Sequence, residues 1–528
     1  MELVSSMTTD IDHARIEKKV SEFYRYATFS HKWEENEPLF EKIMKIVVYD
    51  LEESPTHDKL QIFCKIVQEL GFGWAWSDTC CINKADHFVL QEALVSMFKW
   101  YEGSAMTIIF LRGVHRIALR GALMKSIWNM RAWTLQEYHA SKVVRFYTED
   151  WTPYLDLDIY NHKASPEVVE EMEEATGISA QALMALRPGL DDIREKLRLA
   201  STRQTTRVED AAYSLLGIFS VSLPIVYGEG DQALGRLLAQ LLMSSGDTSI
   251  LAWTGRSGSF NTCFPARITV FSQLPTSHIP PTIPAGTETI AAELRTSTLN
   301  LALATELYDR LHGLPVPSVA GKRVNLPCIA LKLGRVSVSS QSGSEHAFRA
   351  QTNALGVVSI RTEEDLSQFS SLYLIHPWID FLLDRQPLGS ITKTIAADDA
   401  EDQTSIRGEL PSFPELSNAT SPALQNRAAR LIGRLGRTLS GRHTISAPDA
   451  ASLQPPSTVS PMERQMRIYQ FIARLRQPFG ALLLTPNRQN VEEYRRVAAE
   501  SLITVQVEEI TSAILEKLIH GVRMLDVL

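Results

Sequence analysis

The chain has 528 residues, 44% hydrophobic and 22% charged, an ordinary globular composition. At roughly 100–200 residues per domain it should form several domains. The net charge of −8 and a pI near 6.0 exclude a general nucleic-acid binder, which needs a basic surface to neutralise phosphates.

Five cysteines, Cys64, Cys80, Cys81, Cys263 and Cys328, are odd in number and irregularly spaced. That fits a reducing compartment better than a disulfide scaffold. The first ten residues have no basic stretch and no apolar stretch, so secretion is not expected. The most apolar run of the first domain, Met106 to Leu111, is far short of the roughly 20 residues that a membrane helix needs. The expectation is a soluble, cytoplasmic protein without a transmembrane segment.

Residues 26–155 alternate between strand and helix patterns. Tyr26 to Ser30, Phe72 to Trp76, Met106 to Leu111 and Val143 to Tyr147 read as strands. Between them, apolar residues recur at helical spacing over 58–70 (Leu60, Phe63, Ile66, Val67, Leu70) and 90–101 (Ala93, Leu94, Met97, Trp100). Gly71 and Gly73 stop the first of these. Trp133 to Tyr138 reads as the start of a further helix. This alternation predicts a parallel sheet in an α/β fold, with functional groups at the carboxyl ends of its strands. We take 20–155 as the first domain.

Residues 156–247 form a helical extension, with helices expected at 166–176, 190–200, 208–219 and 231–243. From 248 to 390 short β-branched runs alternate with turns: Ile268 to Phe271, Cys328 to Val338, Val357 to Ile360 and Leu372 to Ile375. They predict an antiparallel β-rich domain. Residues 391–460 are rich in Ser, Thr, Pro, Ala and charge, the composition of a disordered linker. Residues 461–528 regain strand patterns at Phe479 to Leu484, Leu502 to Val507 and Met524 to Leu528, and are expected to complete the β-rich domain.

Within the linker, Arg427, Arg430, Arg434 and Arg437 share one helical face, opposite Leu424, Ala428, Leu431, Leu435 and Leu439. A basic amphipathic tract over 424–442 suits contact with an anionic membrane or a partner. Gly433 and Gly436 weaken such a helix, so the expected state is a disordered basic tract, with membrane or partner contact as the alternative.

Four segments stand out: Tyr26-Ala-Thr-Phe-Ser-His31-Lys-Trp33, Gly73-Trp-Ala-Trp76-Ser-Asp78-Thr-Cys-Cys-Ile82-Asn83, Met97-Phe-Lys-Trp-Tyr101, and Ser126-Ile-Trp128-Asn-Met-Arg131-Ala-Trp133-Thr-Leu-Gln136-Glu137. In order and spacing they together resemble the HET (heterokaryon incompatibility) domain of mushroom-forming (basidiomycete) fungi. Thr206 to Gly217 and Tyr227 to Gly230 also look like the segment that follows this domain. Asn129, Ala132 and the Tyr-His-Ala-Ser after Glu137 depart from the family pattern, which leaves an inactive or specialised copy open.

The resemblance implies an intracellular effector of self/non-self recognition or programmed cell death, a form of fungal innate immunity. It also implies a TIR-like or flavodoxin-like sheet, because HET domains are thought to resemble TIR domains. TIR enzymes place a catalytic Glu four residues after a Trp and cleave the nicotinamide–ribose bond of NAD. Trp133 and Glu137 have that spacing. The resemblance thus makes Glu137 the candidate catalytic residue, with Trp133 beside it as a candidate substrate contact. Ser30 and His31, after the first strand, and Asp78, after the next, face the same sheet edge in a doubly wound fold and are candidate contacts to phosphate or ribose. NAD would be a substrate, and no cofactor or metal is required.

The chemistry is self-consistent. Breaking that bond passes through an oxocarbenium-like state that one carboxylate can stabilise. Nicotinamide leaves neutral, so no strong acid is needed. Each residue also has a structural reading. A Glu in the first turn of a helix is favoured by the dipole and can pair with Arg131. Asp78 can cap a turn. Trp33, Trp74, Trp76 and Trp128 can be core aromatics. Cys80 and Cys81 lack zinc-ligand spacing, Gly228-Glu-Gly230 lacks the form of a phosphate loop, and no Gly-x-Ser-x-Gly occurs. A non-enzymatic interaction module, acting through protein partners or self-association, therefore stands beside the enzyme.

Overall fold

The computed structural model describes residues 19–20, 23–117, 120–272, 287–342, 345–352, 354–369, 371–377, 460–487, 490 and 492–528. Residues 1–382 with 468–528 form one compact unit, and 383–467 a second. In the second, only 460–467 are described; there Arg467 pairs with Glu463 at 3.1 Å. The expected linker, apart from Ser460, and its basic tract at 424–442 lie outside the described residues.

The N-terminal part is a four-stranded, all-parallel sheet. Its strands are β1 (Tyr26–His31), β2 (Trp74–Ser77), β3 (Met106–Leu111) and β4 (Val144–Thr148), in the order β2-β1-β3-β4. The order reverses direction between β1 and β3, the switch point at which doubly wound sheets bind ligands. Helix α1 (Pro55–Glu69) links β1 to β2, and α2 (His87–Gly103) links β2 to β3. Ser54 caps α1 by accepting from His57 N–H, with Pro55 in the first turn. Asp86 caps α2 by accepting from Phe88 and Val89 N–H.

Both sheet faces are covered, which is why β3 is apolar or Thr throughout and buried at every position. Ala27, Phe29, Met106, Ile108 and Phe110 pack on Leu60, Phe63 and Val67 of α1. Ile109, Leu111, Val144 and Phe146 pack on Trp128 and Met172 from the other side. The strand bounds fall within two residues of those read from the sequence.

Helix α3 (Trp133–Ala140) crosses the carboxyl end of β1, and α4 (Pro166–Thr176), α5 (Ile193–Ser201) and α6 (Gln232–Ser245) follow. Only a four-residue turn, Asp210–Tyr213, is helical within 208–219 in the α sense. One apolar core runs from α2 through Leu215, Leu237 and Leu241 to Val324, Leu326 and Leu525 of the C-terminal sheet.

That C-terminal sheet contains β5 (Ser318–Ala320), β6 (Arg323–Ser342), β7 (Glu345–Thr352), β8 (Gly356–Thr362) and β9 (Tyr373–Pro377). The chain end adds β10 (Phe479–Pro486), β11 (Glu493–Arg496), β12 (Ile503–Val505) and β13 (Val522–Val527). The last strand, β13, pairs with β6, and β10 pairs with β9, so residues after 468 are built into the same sheet. All pairs are antiparallel except β11 with β13, against a purely antiparallel expectation.

Two readings of this region need correction. Ile268–Ser272 is a 3₁₀ turn rather than a strand. Ile268 and Phe271 both point into the core, and the i,i+3 repeat of a 3₁₀ turn puts them there together. The region also holds two helices, Thr287–Thr296 and Thr298–His312, which the β reading missed. Ser297 caps the second by accepting from Asn300 N–H.

Candidate functional site

Strand β1 sends alternate side chains to opposite faces. Thr28 and Ser30 face α2 and α3, while Phe29 and His31 face α1. Ser30 therefore meets α3, where its hydroxyl donates a hydrogen bond to the Glu137 carboxylate. Trp128 Nε1 donates to the same hydroxyl at 2.7 Å. The indole N–H fixes which way the Ser30 proton points, so the carboxylate receives it.

Glu137 is 5% exposed. It is the fifth residue of α3, not the first-turn residue expected from the sequence, so the helix dipole does little for it. Burial raises its pKa, with Asp78 adding to the push. The Ser30 hydrogen bond and the charges of Arg131 and Arg203 oppose them, and the balance lies at about 7. A carboxyl desolvated this far, beside a second acid at a strand end, is the kind of group that active sites use.

Arg131 does not pair with Glu137. Its Nη1 donates to the His31 carbonyl at 2.6 Å. Arg203 is buried and spreads its fork over the Arg131 carbonyl (3.1 Å), Thr134 Oγ1 (2.9 Å) and Asn129 Oδ1 (3.1 Å). Burial lowers Arg203 to about 10, so it stays cationic near neutral pH. Gln204 adds two backbone bonds, to Met130 O (2.6 Å) and from Ala132 N (3.0 Å). The helical segment thus holds the turn that carries Trp128 and leads into α3.

Asp78 follows β2 and accepts from Trp33 Nε1 at 2.8 Å. The Trp33 ring is 41% exposed and carries the Lys84 ammonium 3.3 Å from its centroid. Lys84 Nζ is buried and makes no hydrogen bond among the described residues.

His31 is the sequence candidate that the strand turns away. Its ring stacks on Phe29 (centroids 4.2 Å apart), and Nε2 lies 3.5 Å from Glu37. Neither ring nitrogen makes a hydrogen bond. Burial pushes its pKa below the ordinary value, so it is a neutral imidazole beside a carboxylate. Burial raises the Glu37 pKa, but His31 and Lys59 lower it by more. Lys59 bonds to both Glu37 and Glu34, closing a structural ion network on that face.

Trp133 also turns away from Glu137, toward Asp210. The aromatic at Ser30 is Trp128, 1% exposed. The geometry thus joins Ser30 and Glu137 directly and keeps Asp78 close enough to act on both Glu137 and His31, while the His31 ring turns to Phe29 and Glu37 and Trp133 turns to Asp210. Trp128, Arg203 and Lys84 were not legible as site residues. A Ser-Ile-Trp run and a lone basic residue carry no local signal of what they touch.

Leu135 and His139 are each two positions from Glu137, on the other side of α3. With Phe98, Leu186, Arg187, Pro188, Lys196, Leu199 and Ile218 they line a shallow cleft. Burial, with Lys163 and other nearby cations, holds His139 at about 3, so its imidazole is neutral near pH 7.

No helix among the described residues is long and apolar enough to cross a membrane. No solved structure matches the chain. Residues 26–121 match the family model described as Heterokaryon incompatibility protein (HET). The chain is 31% identical over 226 residues to vegetative incompatibility protein HET-E-1 of Podospora anserina, covering 40% of this chain and 16% of that protein. Together these likenesses support a fungal HET-domain protein.

Proposed function

We propose that this chain is a cytoplasmic effector of fungal self/non-self recognition or programmed cell death, of the mushroom-type HET group, that cleaves NAD through Glu137. The observation that carries the reading is the Ser30–Glu137 hydrogen bond at the carboxyl end of β1, on a carboxyl raised to about 7. The doubly wound strand order supports a TIR-like comparison, and the match at 26–121 supports the incompatibility role.

In this mechanism the ionised Glu137 stabilises positive charge developing on the ribose. The C–N bond pair leaves with nicotinamide. Water supplies the oxygen that replaces it, and a carboxylate with a pKa near 7 is suited to accept the proton released. Ser30 orients the carboxylate and Asp78 faces the ribose side. The His31 carbonyl anchors Arg131, and Trp133 sets the start of α3 through Asp210. Glu137 is buried, so substrate reaches it only after local opening of the turn 126–132.

That same burial favours a second reading, an interaction module or inactive copy in which Ser30, Trp128 and Glu137 form a packing network. The full chain incubated with NAD discriminates the two. Nicotinamide release that Glu137→Gln abolishes supports the enzyme. A Glu137→Gln protein that folds and kills as well as the parent leaves the module.

A further inference from the structure

An ammonium withdrawn from water normally finds oxygen acceptors. Lys84 Nζ has none, although Asp78 is near enough to favour its charged form. The Asp78 carboxylate is turned to the Trp33 indole instead. The ammonium rests on the Trp33 ring, which offers a cation–π contact but fills no N–H donor. Arg131 is close enough for its charge to oppose that of Lys84. It is pinned by Nη1 to the His31 carbonyl, its side chain's one hydrogen bond among the described residues. A desolvated ammonium with every donor unfilled is thus held near Asp78 and Glu37, with Arg131 as a weaker opposing charge, at the carboxyl ends of β1 and β2.

We infer that Lys84, backed by Arg131, binds a phosphate of the substrate whose ribose faces Glu137. Three arguments support this. A phosphate oxygen supplies the acceptor that the desolvated ammonium lacks, and Arg131 stands near as a second cation. Lysine suits this role as a point charge on a flexible stem. Trp33, which carries Lys84 and bonds to Asp78, lies three residues after Ser30, the partner of Glu137, so the phosphate subsite adjoins the reacting carboxylate. The substrate class is a phosphorylated nicotinamide nucleotide rather than a bare riboside. When the ammonium swings to phosphate, the half-open Trp33 face is freed for a ring.

The inference rests on the proposed NAD cleavage, and the experiment separates the two. Full-length parent, Lys84→Met, Lys84→Arg and Glu137→Gln proteins are titrated with ADP-ribose and with pyrophosphate. Their cleavage of NAD is compared with that of nicotinamide riboside, which has no phosphate. Lys84→Met should weaken ADP-ribose binding at least about tenfold. It should raise KM for NAD with kcat nearly unchanged, and leave riboside cleavage as in the parent. Lys84→Arg should retain most of the binding, and Glu137→Gln should bind ADP-ribose without cleaving NAD.

Equal ADP-ribose affinity in the parent and Lys84→Met overturns the phosphate site while leaving Glu137 chemistry standing. Pyrophosphate binding without ADP-ribose binding overturns the substrate assignment. Lys84-dependent ADP-ribose binding in a protein that never releases nicotinamide keeps the phosphate site and discards the cleavage reading.

Discussion

Ser30 and Glu137, separated by 107 positions in the chain, share one buried proton-bearing contact. A strand end and the middle of a helix are thereby tied through a single hydroxyl. Trp128 holds that hydroxyl in turn. Any change to one of the three is felt by the other two.

Glu137→Gln should abolish nicotinamide release, by about a thousandfold or more if the carboxylate carries the charge stabilisation. The fold should be intact, because the amide oxygen still accepts from Ser30. A fluorescent or chromatographic NAD assay checks it. A loss below about tenfold means that another group does the chemistry.

Stability should depend on pH through the same residue. Burial raises Glu137 from its ordinary 4.5 to about 7, so the folded protein binds more protons than the unfolded chain between these values. Its contribution favours folding below about 4.5 and is lost as pH rises through about 7. Glu137→Gln removes that loss. The variant should be the more stable protein at pH 8, by an order of about 3 kcal/mol, and the gap should close toward pH 4.5. Urea midpoints at a series of pH values measure this. A gap that does not change with pH contradicts the raised pKa. Cleavage by the parent should rise with pH through the same window.

Ser30→Ala removes the donor that favours the ionised carboxylate and leaves Trp128 Nε1 without its acceptor. Stability should fall by about 1–3 kcal/mol. The midpoint of the pH–activity profile should move above 7, since the Ser30 bond opposes the upward shift. An unmoved midpoint would mean that the hydroxyl is packing only.

Arg203→Lys keeps the charge but loses the planar fork that serves three acceptors. We expect a loss of about 2–3 kcal/mol from the orphaned groups. Hydrogen exchange in 126–134 should be faster than in the parent. Unchanged exchange there would show that the segment is held by Gln204 alone.

Gly217→Ala would place a Cβ 2.2 Å from Phe98 Cβ. Gly217 follows the 210–213 turn and Phe98 lies on α2, so the glycine permits close docking of the helical segment. The substitution should cost roughly 1–3 kcal/mol by overpacking, read as a lower urea midpoint. A neutral result would show that α2 can shift.

Periodicity made the parallel sheet legible, since β3 is buried on both faces and therefore apolar without alternation. The Pro166–Thr176 helix was equally legible from its cap and its apolar spacing. The Ile268 run misled because three successive β-branched residues read as a strand, whereas the core-facing pair, Ile268 and Phe271, has the i,i+3 spacing of a 3₁₀ turn. The site was legible only in part. Glu137, Ser30 and Asp78 come from segments that read as strand ends and helix starts. Which face His31 takes depends on strand register, and where Trp133 points depends on Asp210, 77 positions away. Arg203 and Lys84 are recognisable only once folding has put acceptors, or none, around them.

The clamp at 203–204 bears on how such a segment can be passed between proteins. The family match ends at 121, yet Trp128, Glu137 and the Arg203 fork that steadies them all come later. A gene fusion that carried 26–121 alone would deliver three of the four strands, without β4 and without the acid. One cut at 155 would deliver the acid on an untethered turn, with an apolar flank on α2 where Gly217 should dock. The portable cassette is the longer piece running beyond α6. Recombination that respects that boundary should transplant whatever the site does, and breaks placed inside it should yield insoluble or silent proteins.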